Sequence, residues 1–186
     1  MASPGQVTAP VLQALLDNAA LAGSWVLDGA RSTVSLQSKS MWGMAPVKGA
    51  FGQVAGTGTV AADGQVTGTI TVAAASIDTK NKKRDVHLRS PDFFDSDKYA
   101  DIVFTITGIA PSGPGVTVSG QLTVRDQTRP VSFDAAVSAA DAGEVGEVGL
   151  DAEVPFNRAD FGLTWNRLGM ASMHNILAIH AVFSRG

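Results

Sequence analysis

The sequence predicts an all-β fold: an antiparallel up-and-down β-barrel of about eight strands, with a short helical insert and an N-terminal amphipathic helix. Three observations predict it. From Ser24 onward, apolar and polar residues alternate with period two in short runs bounded by Gly, Pro, Asp and Ser. The turn-forming stretches "ADGQ" at 62–65 and "PSGPG" at 111–115 suit hairpins between sequence neighbours. Finally, runs joined mainly to their neighbours are more economical as a closed barrel than as an open sheet, because closure removes the edges.

Before the first strand, Val11, Leu12, Leu15, Leu16 and Ala19 recur at the 3.6-residue period, which predicts a helix over 8–22 ended by Gly23. Its apolar face must be buried, either over one end of the main fold or against a second subunit. The chain therefore divides into a helical extension, 1–23, and a barrel domain, 24–186. Strands are expected near 24–28, 32–42, 47–60, 66–75, 102–109, 116–125, 130–138, 147–157 and 174–184.

Within these strands Val66, Ile70, Val72, Phe104, Ile106, Val116, Val118, Leu122, Val124, Val131, Phe133 and Val137 share one parity, opposite Thr67, Thr69, Thr71, Thr105, Thr117, Ser119 and Thr123. The apolar set faces in. Small residues occupy the same inward parity: Ser38, Ser40, Gly68, Ala74, Gly108, Gly120, Ala135 and Ala152. An eight-stranded barrel is just wide enough to be filled by large side chains or to hold one small ligand. So many small inward residues predict a long apolar cavity, unless the helix and the insert plug it. The last strand, "NILAIHAVF", is apolar on both faces, so one face lies outside any barrel and suits pairing with another copy.

The insert is the segment from Lys80 to Asp101, which holds eleven charged residues in a chain otherwise rich in Val, Ala, Gly and Thr. Asp78 or Thr79 is placed to cap a short helix starting near Lys80, and Pro91 to stop it. Phe93 and Phe94 would then fold over apolar surface, while Arg84 and Arg89 pair with Asp85, Asp92 or Asp95 at a barrel rim.

Composition narrows the function. The 186 residues carry 14 basic and 17 acidic side chains, a net charge of −3, with no block of like charge, which argues against nucleic acid as partner. The absence of cysteine removes disulfides and thiolate chemistry. No apolar run is long enough for a membrane-spanning helix, so no integral membrane segment is expected. The segment "APVLQALLDNAALAG" has the Ala20-Leu21-Ala22 spacing of a signal-peptidase site, but no Lys or Arg precedes Arg31, and Asp17 and Asn18 interrupt the run. A cytoplasmic location is favoured over a periplasmic or secreted one.

Chemistry-bearing motifs are few. The three histidines, His87, His174 and His180, accompany neither a Gly-x-Ser-x-Gly elbow nor a His-Glu-x-x-His run, so no enzyme and no catalytic residue is expected. His180, between Ile179 and Ala181, is expected to be a satisfied core residue. Asp92, Asp95 and Asp97 lack the Gly and terminal Glu of a calcium loop, so no metal site is expected. "GTGTVA" at 56–61 fits a dinucleotide fingerprint but opens no helix, and its glycines suit a barrel corner better.

The stretch "SIDTKNKKRDVHLRSPDFFDSDKYADIVFTITGI" closely resembles the hallmark segment of the YceI-like family. Further segments are similar in the right order: "SWVLDGARSTVSLQSKSMWGMAPVKGAFGQVAGTGTV", "VSGQLTVRDQTRPVSF" and "FNRADFGLTWN". The resemblance spans residues 24–184. It departs at Asp126 and Gln127, where many members carry Gly-Val, and in "WNRLGMASMHNILAI", which lacks an acidic stretch common before the last strand. The resemblance implies a lipocalin-like barrel around a long hydrophobic ligand, a polyisoprenoid lipid or isoprenoid quinone, with no cofactor required.

On this basis the expected tail contacts are Val34, Leu36, Phe51, Ile70, Val72, Phe104, Ile106, Leu122, Val124, Phe133, Val154 and Trp165. Arg84, His87 and Arg89 are candidates for a polar rim facing a head group, since guanidinium suits phosphate or quinone oxygen. The alternative is a filled barrel acting as a non-catalytic interaction module and working as a homodimer.

Overall fold

A computed structural model describes residues 5–139 and 146–186, and among these the period-two alternation is organised into twelve strands, accompanied by two short α-helices. The strands form a closed eight-stranded antiparallel barrel because three of its walls are each built from two segments. The first wall is β2 (Gly23–Leu27) followed by β3 (Thr33–Ser40), which take turns along one edge of β12 (His174–Arg185). At the bend between them, Ser32 Oγ accepts the Val182 amide of β12 at 3.0 Å, patching the interrupted ladder. The second wall is β4 (Ala45–Phe51) and β5 (Val54–Val60), and the third is β6 (Val66–Ala73) and β7 (Ile77–Asp78). Their bends are stitched together at Ser76, whose carbonyl accepts the Gly52 amide at 3.1 Å and whose hydroxyl accepts the Gln53 amide at 3.2 Å.

Four longer strands follow before the chain closes on itself: β8 (Asp101–Ser112), β9 (Gly115–Val124), β10 (Gln127–Ala139) and β11 (Glu147–Asn157). Each pairs with its neighbours, and β12 returns to β2 and β3. One seam is thin. β10 and β11 are paired only through residues 136–139 and 148–151, and diverge beyond them. Pro130 and Pro155 both lie in the diverging stretch, where strands that lack an N–H donor are best tolerated. A three-residue strand, β1 (Gly5–Val7), continues the sheet on β10 beyond the end of β9.

The helix expected over 8–22 is shorter: α1 spans Ala9–Asp17 and its C-cap is Asn18. Ala19 adopts a left-handed conformation (φ 53°), which stops the helix before the apolar pattern does. Leu12, Leu16 and Leu21 are buried in one cluster with Trp25, Val116, Val137 and Phe183, so this segment covers one end of the barrel. Trp25 donates its indole N–H to the Leu21 carbonyl at 2.9 Å, fixing the entry into β2.

At the other end lies α2 (Lys82–Arg89). Its N-cap is Asn81, which accepts the Arg84 amide, and neither Asp78 nor Thr79 fills that role. Asp78 instead accepts the Lys80 amide and pairs with its ammonium at 2.6 Å. Thr79 is buried and donates both amide and hydroxyl to Asp85 at 2.9 and 2.6 Å. A second apolar cluster, with Phe51, Ile77, Phe94, Phe156, Phe161 and Leu163, lies beneath this end.

Candidate functional site

Inward-facing side chains from all eight walls leave a file of three chambers along the interior. The middle one is about 120 Å³, and every side chain lining it is Val, Leu, Ile, Phe or Ala. Beneath α1 lies an inner chamber of about 100 Å³, lined by Leu12, Leu16, Leu21 and Trp25 among others; it shares Ile106 and Leu150 with the middle chamber. Beneath α2 lies a mouth chamber of about 190 Å³ that shares Leu36, Phe94 and Phe156 with the middle one. Of the three, only the mouth carries the charged side chains Lys39, Arg84 and Arg158 in its lining, with the imidazole of His87 beside them.

The structure brings Val34, Leu36, Phe51, Ile70, Val72, Phe104, Ile106, Leu122, Val124, Phe133 and Val154 together around the middle chamber. Trp165 stands apart from them, in the mouth chamber. It lies on the long β11–β12 connection, not on a strand, so strand parity says nothing about its direction. Its ring meets His87 edge-on at 4.4 Å and Phe93 at 5.4 Å.

The expected contacts left out several lining residues, among them Leu150 and Phe156 on β11 and Leu177, Ile179 and Ala181 on β12. The signal was present, since all share the parity of Val154 or of one another. Phe94 carried no parity signal because it belongs to the insert; it packs edge-on against Phe51 at 5.8 Å and forms the lid over the middle chamber.

Two of the small inward residues do what their size suggests: Ala135 and Ala152 line the middle chamber. Gly68 and Gly120 are small for another reason. A Cβ on Gly68 would approach the Thr57 carbonyl oxygen to 2.6 Å, and one on Gly120 would meet the Phe104 ring at 2.6 Å and the Thr105 carbonyl oxygen more closely still. They mark close approach of neighbouring strands, not empty volume.

Around the mouth, polar side chains are mostly committed to the protein. Arg84 donates through Nε to Thr79 Oγ1 at 2.7 Å and through Nη2 to the Thr79 carbonyl at 3.0 Å. Arg89 donates to the Ile77 carbonyl at 2.7 Å and does not line the mouth chamber. The carboxylate partners expected for these arginines are thus replaced by hydroxyl and carbonyl oxygens. His87 pairs with Asp92 at 2.8 Å and is half-buried between Phe93 and Trp165. Arg125, on the β9–β10 turn, donates to the carbonyls of Pro91 and Phe93 at 3.3 and 3.2 Å and ties the insert down.

Arg158, only 5 % exposed, donates to the carbonyls of Leu163, Trp165, Ala171 and Ser172 and holds the β11–β12 connection in place. Burial lowers its pKa from the ordinary guanidinium value, but four carbonyl acceptors and the intrinsic basicity of the group keep it charged. Of the other histidines, His174 is exposed, and His180 faces outward and pairs with Asp151 at 2.6 Å, so it is no core residue. The Ile179 side of its strand faces in instead. Among the described residues no group of three His, Asp or Glu side chains converges to hold a metal ion, and no helix is long and apolar enough to cross a membrane.

A closed up-and-down barrel around an apolar interior, with a short helical cap over one end, is a lipocalin-like barrel. The chain belongs to the YceI-like family: the family's model, described as a YceI-like domain, matches residues 25–183. It is 31 % identical over 151 residues to UPF0312 protein SAS2572 of Staphylococcus aureus (strain MSSA476), covering 77 % of this chain and 84 % of that one. To Protein YceI of Escherichia coli O17:K52:H18 it is 34 % identical over 106 residues, 56 % of this chain and 55 % of that protein's length. The match to that relative therefore spans about half of each.

Among solved structures the fold is similar to that of Burkholderia cenocepacia BcnA, with a TM-score of 0.72 and 25 % identity over 84 % of this chain and 98 % of that one. A polyisoprenoid binding domain from Saccharophagus degradans shares the fold at a TM-score of 0.69 and 14 % identity, over 87 % of this chain and 98 % of that domain.

Proposed function

We propose that the barrel is a non-catalytic carrier that sequesters one long hydrophobic ligand, a polyisoprenoid lipid or the tail of an isoprenoid quinone. The observation that carries this reading is the file of chambers whose middle member is lined by apolar side chains alone. An unbranched polar metabolite would lose its hydration there and gain no hydrogen bond. A polyprenyl chain gains roughly 0.8 kcal/mol per buried CH₂, so roughly 4 kcal/mol of gross transfer energy per five-carbon unit, before the cost of ordering the chain. The polyisoprenoid-binding domain of the same fold is consistent with that cargo.

In this reading the tail lies across the middle chamber, between Leu122, Phe133, Val154 and their neighbours, with the inner chamber receiving its far end. The head group stays in the mouth, where Arg84 and His87 stand closest to it and Arg89 supports the helix from behind. Phe94 is the gate between the two. The filled-barrel alternative has less support, because the interior is chambered rather than packed solid. Pairing of two copies through the outer face of β12, where Ile176 is 42 % exposed, is compatible with carriage and forms part of the proposal.

Native mass spectrometry of the purified chain, followed by organic extraction, tests it. A co-purified polyprenyl species, or stoichiometric uptake of an added one, is the expected result, and the same spectrum reads the oligomeric state. A protein that is empty and also refuses added isoprenoids would overturn the carrier reading.

A further inference from the structure

The β3–β4 hairpin and the β11–β12 connection meet at the mouth and form one lip. Ser40 bridges to Ala171, the Ser172 amide donates to the Lys39 carbonyl at 3.0 Å, and the Trp42 indole N–H donates to the Leu168 carbonyl at 3.2 Å. On this joined lip four large apolar side chains face outward: Met41, Trp42, Met44 and Leu168 are 48, 64, 74 and 76 % exposed. Four large apolar side chains exposed together on one lip call for a partner.

The backbone beneath them is unusual. Met41, Trp42 and Leu168 all hold left-handed conformations, with φ of 52°, 56° and 56°. Such positions in tight turns ordinarily go to Asn, Asp or Gly, and bulky side chains there are disfavoured. The turn itself would be more stable with polar turn residues. Left-handed strain on exposed apolar side chains is therefore carried for what those side chains touch, not for the hairpin.

Charge identifies the partner. Residues 39–49 and 162–174 contain Lys39, Lys48 and Arg167, all exposed, and no Asp or Glu, in a chain whose net charge is −3. The helix α2, whose Arg84, His87 and Leu88 line the same chamber, begins with exposed Lys82 and Lys83. A protruding Trp and Met tip flanked by basic side chains has the chemistry of an interfacial anchor: apolar groups enter the head-group boundary and lysines meet anionic lipid.

We propose that the lip formed by residues 40–44 and 166–170 docks the barrel, mouth toward the lipid, on an anionic bilayer surface. The proposal rests on the apolar-cargo reading for its purpose, since a mouth set against the bilayer lets a polyisoprenoid tail pass between membrane and barrel without crossing water. Because the two loops are already bonded to each other, little ordering is needed on docking.

The test is co-sedimentation of the full chain with phosphatidylcholine vesicles prepared with and without phosphatidylglycerol, alongside isoprenoid uptake from vesicle-free solution. Wild-type protein is expected to bind the phosphatidylglycerol vesicles about tenfold more tightly than the neutral ones and to lose that preference in high salt. Met44→Ser with Leu168→Ser is expected to weaken vesicle binding about tenfold while uptake from solution is unchanged. In Trp42→Phe, the blue shift of tryptophan emission on vesicle addition should shrink to the part carried by Trp165, which is already half-buried in the mouth, since Trp25 is buried in the barrel end.

Equal binding to both vesicle types, no vesicle binding at all, or vesicle binding insensitive to the double variant would overturn docking, whatever the uptake result. A lip that instead mediates pairing of two copies, seen as a dimer dissolved by the double variant without any vesicle binding, would overturn it as well. Loss of isoprenoid uptake with vesicle binding intact would remove the cargo reading and leave docking standing.

Discussion

Arg158 shows how a single side chain shapes the mouth. Its guanidinium spends its donors on four main-chain carbonyls of a connection that has little regular structure of its own. Arg158→Met would leave those carbonyls buried without a donor, which costs about 3 kcal/mol. The expected drop in melting temperature is about 9 °C, read by calorimetry, and a drop near zero would show that the connection holds itself. The Arg of "FNRADFG" was visible in the sequence as part of a motif, but its four acceptors lie five to fourteen residues downstream and only folding brings them round it. Glycine gives a second lesson at this scale. Gly120→Ala would drive a methyl group into the Thr105 carbonyl and the Phe104 ring, so urea unfolding should show a loss of about 1–3 kcal/mol. In the sequence, Gly120 and Ala152 look alike as small inward residues, and backbone proximity separates them.

At the scale of elements, the walls, the lid and the end-cap each do a different task. The walls supply the chamber, and alternation predicted them well, because a strand that buries one face must place every second side chain inward. The β11 wall is the place to test occupancy. Ala152→Phe puts a ring into the middle chamber from a half-buried position beside Leu150 and Val154. Isoprenoid binding is expected to weaken at least about tenfold while stability changes by no more than about 2 kcal/mol, because the added ring enters existing space. Unchanged binding with an unchanged fold would show that the tail does not pass this point. The insert was legible as a helix with a stop at Pro91, and its two phenylalanines as turned inward. Its cap was misread, since Asn81, Thr79 and Asp78 are all competent cap residues, and the pull of Asp85 on Thr79 decides among them. The length of α1 was misread too, because Leu21 continues the apolar pattern after the helix has ended.

For the whole molecule, the consequence of an apolar interior is linkage between cargo and stability. A ligand held only by the folded barrel at one hundred times its dissociation constant adds about 2.7 kcal/mol. For a chain of this size that raises the melting temperature by roughly 5–10 °C. Calorimetry of the protein with and without added isoprenoid should show this shift, and its absence would count against cargo held in the barrel interior. The thin ladder between β10 and β11 adds a second feature at this scale. Leu122, Val131, Val154, Phe156 and Leu177 line both the middle chamber and a cleft at this seam, so the interior reaches toward the surface through the wall as well as through the mouth.

Sequence by itself determined the fold class, the inward face of nearly every strand, the family and most of the middle chamber's lining. The physical reason is that burial of one sheet face is a local rule, written in every second residue. Tertiary structure alone decided the rest: that three walls are bent and stitched at Ser32 and Ser76, that Trp165 belongs to the mouth, that Gly68 and Gly120 mark close strand contact, and that Trp42 and Leu168 share one lip. Each of these depends on which distant segments lie side by side, and strand register and loop trajectory are set by the closure of the whole barrel, not by any one stretch of chain.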